Sequence, residues 1–137
     1  MLEKYYKYKL VYNDYLIFIK VGSFYECFSK DALIINKLFN YKIKKINNTF
    51  KCGFPINNIE YVINKLKQNN INYIILEDDI TDKYETDINT YSNYNFDNDS
   101  LLYSFILIEK IIKYLENNIT NEEINEKIYR INELLGI

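Results

Sequence analysis

The sequence predicts an α/β (α+β) fold: a mixed β-sheet flanked by helices, with a C-terminal helical hairpin appended. Three observations predict it. The segment Tyr15–Val21 is an almost unbroken apolar, β-branched run, interrupted only by Lys20, which is the pattern of a central strand buried on both faces. Around it the periodicities alternate in the order α-β-β-α-β-β-α-β, which calls for a sheet covered by helices. After Glu77 the texture changes to Asp, Asn, Thr, Ser and Tyr, and then to two helical patterns. The expected organisation is one domain over residues 1–90, a connector over 91–99 and a helical hairpin over 100–137.

Each element has its own reason. Glu3–Tyr12 is helix-compatible, and Asn13-Asp14 forms a turn. Gly22-Ser23 bends the chain after the first strand, and Phe24–Phe28 is the second strand. Ser29 is the expected N-cap of a helix whose apolar face is Ala32, Ile35 and Leu38-Phe39. Asn40 ends it. Tyr41–Ile46 reads as a strand with Lys42 and Lys44 on one face. After the turn at Asn47-Asn48, Phe50–Gly53 is a short return strand. Gly53 is expected to allow a turn, and Pro55 to start a helix over Asn57–Gln68. Tyr73–Leu76 is a further buried strand. Asp78–Asp99 reads as irregular, with at most one edge strand. The last two helices start at Asp99 or Ser100 and at a capping box, Thr120–Glu123, and Gly136 stops the second.

The composition excludes several functions. There is no His among the 137 residues, so His-based triads, acid–base pairs and metal cages are ruled out. The glycines at 22, 53 and 136 cannot build a phosphate loop or a dinucleotide fingerprint. An enzyme is therefore not expected, and no cofactor or metal is implied. For chemistry only carboxylates and tyrosines remain; Asp78, Asp79 and Asp82 could hold Mg²⁺, although acidic loops are more often plain surface. Cys27 and Cys52 lack metal spacing and read as buried free thiols in a reducing cytosol, which makes the expected location cytoplasmic. The N-terminus is no signal peptide, and no apolar run is long enough to cross a membrane.

The net charge of −2 hides an asymmetry. Residues 1–76 carry twelve lysines and five acids, a net +7, whereas residues 77–137 carry a net −9. A basic half fits an anionic partner, and it also fits scattered solvated charge. Within that half, Phe24 and Glu26 are two apart on a strand, so they project to one side and Tyr25 to the other.

Taken together, residues 4–79 resemble the N-terminal mismatch-recognition domain (domain I) of the MutS family of DNA repair proteins, here as a free-standing copy. The resemblance runs through ordered pieces: the strand Tyr15–Val21, the motif Gly22-Ser23-Phe24-Tyr25-Glu26, Lys30-Asp31-Ala32 at a helix start, Ile43-Lys44-Lys45, Cys52-Gly53-Phe54-Pro55, the helix Ile59–Leu66, and Ile74–Glu77. It implies that Phe24 wedges beside a mispaired base from the minor groove of double-stranded DNA and that Glu26 hydrogen-bonds the same base. It also implies that the family's ATPase is missing from this chain. An apolar wedge must unstack a base step, at a cost of a few kcal/mol, and a mismatched step yields more cheaply. Glu26 then serves selection, meeting a base donor or, protonated, donating to a ring nitrogen. Affinity comes from lysine–phosphate contacts. The expected DNA-binding set is Phe24, Glu26, Gly22, Lys20, Lys42, Lys44, Lys45 and Lys51, with a solvated strand face as the other reading of the lysines. The alternative function is a protein-interaction module that keeps the fold without DNA binding. Self-association, or a repair-protein partner, would then use the stripe Ile124, Ile128, Ile131 and Leu135, which otherwise packs within the chain.

Overall fold

Strand pairing begins at the apolar run. In the computed structural model, which describes residues 1–137, β1 (Leu16–Val21) lies inside a six-stranded mixed sheet with β2 (Phe24–Phe28) on one side and β5 (Tyr73–Leu76) on the other. The β1–β2 pair is antiparallel and the β1–β5 pair parallel, which is why a helical crossover must separate β1 from β5. Beyond β2 lie β4 (Thr49–Pro55) and then β3 (Ile43–Ile46); beyond β5 lies β6 (Ile80–Tyr84) at the other edge. The mixed sheet with covering helices is the expected fold class.

The register sorts the side chains onto two faces. One face carries Ile17, Ile19, Phe28, Ile74 and Leu76, packed with Tyr5 of α1 (Leu2–Lys9) and with Tyr15. The other carries a chain of ring contacts, Tyr25 and Phe18 on Phe54, then Tyr41 and Phe39, which places α2 (Ser29–Phe39) on that side. There α3 (Ile59–Gln68) also sits, with Tyr61 edge-on to Phe39 and Val62, Ile63 and Leu66 buried.

Asp31, in the first turn of α2, is fully buried and accepts from four directions. The Tyr5 hydroxyl and the Ile17 amide each lie 3.0 Å away, the Lys9 ammonium reaches both carboxylate oxygens at 3.0 Å, and the Tyr91 hydroxyl completes the set. Burial first, and then the Asp31 charge, push both tyrosine hydroxyls well above their ordinary value, so they stay neutral donors. Burial pulls the Lys9 ammonium down, opposed by Asp31. Tyr91 falls in the stretch read from sequence as the connector, yet it is buried in this core.

Several local expectations are corrected. Ser29 does not cap α2: its φ is 54°, outside the extended region a cap needs, and its hydroxyl bridges Tyr6 and Thr49. Phe28 holds the N-cap position instead. Tyr41 and Lys42 are not in β3, because Asn40 turns left-handed at φ 57° and the Asn36 amide ties up the Tyr41 carbonyl at 2.9 Å. α1 stops at Lys9, in a turn where Val11 and Tyr12 both donate to the Tyr8 carbonyl. β4 runs on through Gly53 to Pro55, so Gly53 makes no turn, and a 3₁₀ turn (Ile56–Asn58) precedes α3. Asp78, Asp79 and Asp82 do not converge: Asp79 accepts from Ile80 and Tyr8, Asp82 from Lys83 and Tyr73, and no group of potential metal ligands forms.

The chain divides into two compact units, residues 1–97 and 98–137. The second consists of α4 (Asn98–Asn117) and α5 (Glu122–Leu135). The cap of α5 is Asn121 rather than Thr120: its side chain accepts from the Ile124 amide at 3.2 Å, and asparagine is the stronger capping residue. Gly136 closes α5 at φ 70°, as expected. No helix is long and apolar enough to cross a membrane.

Removing the Asp31 charge leaves the Lys9 ammonium mostly desolvated and without its counter-charge. Asp31→Asn should lower unfolding free energy by about 3 kcal/mol in urea titrations. A loss under about 1 kcal/mol would show that the carboxylate is not the tie described.

Candidate nucleic-acid interface

The β1–β2 hairpin has a two-residue loop, because Val21 pairs with Phe24. Gly22 takes the first loop position at φ 61°, as tight hairpin loops of this kind require of a glycine. The loop is tied to the end of β4, where the Ile56 amide donates to the Ser23 carbonyl at 3.0 Å. Pro55 pairs with Phe24 from a part of β4 that extends past the end of β3, where its missing N–H leaves no ladder bond unmade.

Phe24 is 47% exposed, whereas Tyr25 and Cys27, on the opposite face, are buried. Glu26 lies on the Phe24 side and is half-buried. Directly across from Glu26 is Gly53. A side chain at Gly53 would stand 3.7 Å from the Glu26 Cγ, so the glycine keeps the space over the carboxylate open. Lys51, one diagonal step along β4, reaches Glu26 at 3.3 Å. Lys44 is the direct cross-strand partner of Lys51. Together Phe24, Glu26, Lys42, Lys44, Lys51 and Gly53 line one recess of about 270 Å³.

This recess holds three ammonium groups and one carboxylate. Like charges directly opposite on neighbouring strands are unfavourable, so the Lys44–Lys51 pair is a local conflict that the Glu26 contact relieves only in part. Conflicts of this kind are expected where a surface serves a ligand.

Five of the eight residues singled out from sequence line the recess or its edge: Phe24, Glu26, Lys42, Lys44 and Lys51. Gly22 shapes the loop beside it. Lys20 does not join them. It pairs in register with Tyr25, on the opposite face, and forms an ion pair with Glu77 at 3.3 Å. Lys45 likewise pairs with Phe50 and projects away. Gly53 belongs to the recess, although its sequence context suggested only a turn. Its position across a strand from the Phe-x-Glu motif is the signal that could have identified it. Cys27 and Cys52 are buried free thiols in direct cross-strand register, and burial pushes the Cys27 thiol up, which disfavours its thiolate.

The fold thus sets an exposed Phe beside a half-buried Glu, on a strand that opens from Gly22 and is flanked by the Gly-x-Pro strand. The family model described as MutS domain I matches residues 1–92, two-thirds of the chain. The chain belongs to the MutS domain I family. Among individual relatives, the DNA mismatch repair protein MutS of Ehrlichia ruminantium (strain Gardel) is 36% identical over 66 residues, which are 48% of this chain and 8% of the relative. The MutS protein of Borreliella burgdorferi (strain ZS7) is 39% identical over the same length and shares. That of Thermosipho melanesiensis is 31% identical over 77 residues, 56% of this chain and 9% of the relative. The similarity thus spans less than a tenth of these relatives, and α4 and α5 lie outside the matched MutS domain I segment.

The two glycines of the site should respond differently to a methyl group. Gly22→Ala meets no neighbour but is strained at positive φ, and should cost about 1 kcal/mol of stability. Gly53→Ala meets only ordinary contacts, and should leave the urea midpoint nearly unchanged while narrowing the recess over Glu26. Equal losses for both would contradict the distinction.

Proposed function

We propose that this MutS domain I binds duplex DNA and prefers mismatched or distorted sites. Phe24 enters the minor groove beside the weakened base step, and Glu26 contacts the displaced base. Lys42, Lys44 and Lys51 neutralise backbone phosphates. The observation that carries the reading is the exposed Phe24 ring next to Glu26 on the one sheet face that also gathers three lysines. A buried Phe24 would have left only packing as its role.

The division of labour follows from the physics. Wedging unstacks a base step, and the cost falls when pairing is already faulty, so Phe24 supplies preference. A carboxylate near phosphates lowers overall affinity, so Glu26 makes sense only as a reader of the base. Lysine–phosphate contacts are indifferent to sequence and supply affinity. Lys20 and Lys45 project to the other face and add to the general field, not to the recess. These 137 residues hold no phosphate loop, so in this reading the recess binds DNA without nucleotide hydrolysis by the residues described.

Fluorescence anisotropy at low salt, comparing a homoduplex with duplexes carrying G·T or an unpaired T, tests the proposal. The wild-type chain should bind the faulty duplexes more tightly. Phe24→Ala should remove the preference. Glu26→Ala should reduce it while leaving or raising affinity for the homoduplex. Lys44→Met should weaken both alike and shallow the salt dependence by about one unit in log–log slope. Equal or undetectable binding of wild type to all duplexes would refute the reading.

A further inference from the structure

Three lysines line the recess, but one of them is already engaged. Lys51 lies 3.3 Å from the Glu26 carboxylate, whereas Lys42 and Lys44 form no ion pair. Strand register explains the choice. Lys51 faces Lys44 directly, and like charges so placed repel. Glu26 stands one diagonal step away, opposite Gly53, which adds no side chain to crowd the approach. The Lys51 and Glu26 side chains are only 30% and 18% exposed; at the same distance, those of Lys20 and Glu77 are 37% and 45% exposed. Water and salt therefore screen the recess pair less. An ammonium held in this way cannot neutralise a phosphate unless it leaves the carboxylate.

We infer that Glu26 withholds Lys51 from intact duplex DNA and gives it up only at a faulty site. The inference rests on the DNA-binding reading of the recess, and it assigns Lys51 a role distinct from that of Lys44. Intact and faulty sites both offer phosphates. Only a faulty one also offers Glu26 the donor of a displaced base. On an intact duplex, moving Lys51 to a phosphate would leave a sheltered carboxylate without a partner beside a negative backbone, so the ion pair persists. At a faulty site the base donor replaces the ammonium, and Lys51 is released to the backbone. Contact with a base is thereby converted into one more phosphate contact. Lys51 is a specificity-determining residue, although its own contact is with phosphate.

Titrations of the whole chain against a homoduplex and a G·T duplex, from about 50 to 200 mM salt, test the inference. In wild type the log–log slope should be steeper for the G·T duplex by about one unit, the contribution of one lysine. Glu26→Gln should tighten homoduplex binding about threefold and steepen its slope by about one unit, and adding Lys51→Met should cancel both changes. Lys51→Met alone should leave homoduplex binding unchanged, where Lys44→Met weakens it. Both side chains of the pair are partly exposed, so each variant should keep the far-ultraviolet circular dichroism of the wild type. Equal wild-type slopes on two duplexes of unequal affinity would overturn the inference and leave the mismatch preference standing. A homoduplex slope that Glu26→Gln does not change would overturn it whether or not any duplex is preferred. A gain in Glu26→Gln that survives Lys51→Met would overturn it as well, because the carboxylate would then act by its own repulsion alone.

Discussion

The arrangement of the first unit depends on the Asp31 carboxylate. It sits at the start of α2, yet its donors come from α1, from the β1 backbone and from a tyrosine sixty residues further on. A buried carboxylate this well supplied is held in one geometry, because losing any one donor leaves charge uncompensated in a dry site. The consequence is positional. α1 is pinned across one end of a sheet face, where Tyr5 packs on Phe28 with ring centroids 5.5 Å apart. Four residues back along β2, beyond the reach of α1, Phe24 stays exposed. The recess is the part of the face that the Asp31 tie leaves uncovered.

What surrounds Phe24 is stiff in the ways the proposed wedge would need. Gly22 allows the shortest hairpin loop, the Ile56 amide clasps that loop, and Pro55 backs the first residue of β2. A side chain that must push into a base stack has to be braced by backbone, since a loose one would yield before the stack does. The opposed Lys44 and Lys51 tell the other half of the story. Their juxtaposition disfavours the unbound domain, and a phosphate between them would convert repulsion into attraction.

How much of this was legible in the sequence follows the range of the interactions. β2 and β5 were readable to the residue, because an apolar run and a two-residue period are local signals. Placing Phe24 and Glu26 on the same side needed only that period. Asp31 was visible as an acid at a helix start, but its partnership with Tyr91 depends on tertiary closure, which no local pattern encodes. The same holds for Glu26 and Lys51, twenty-five residues apart and joined only because β2 and β4 are neighbours. Lys20 shows the converse: charge alone groups it with the other lysines, whereas pairing with Tyr25 sends it to the far face of the sheet, away from the recess. Ser29 and Thr120 are the familiar capping residues, displaced because a side chain with two available partners, or a better-capping neighbour, decides the local contest.

The charge of the recess limits how tightly it could hold DNA. A recess with three lysines can release only about three counterions, so a single unit of this kind would bind DNA weakly and lose most of its affinity as salt rises. The relatives it resembles are more than ten times longer than the matched segment, and this stretch is a small part of their chains. In the proposed reading, discrimination rests on Phe24 and Glu26, which meet the base, whereas phosphate contacts by the lysines set affinity, so a recess with little charge of its own can prefer a faulty site without holding every duplex tightly.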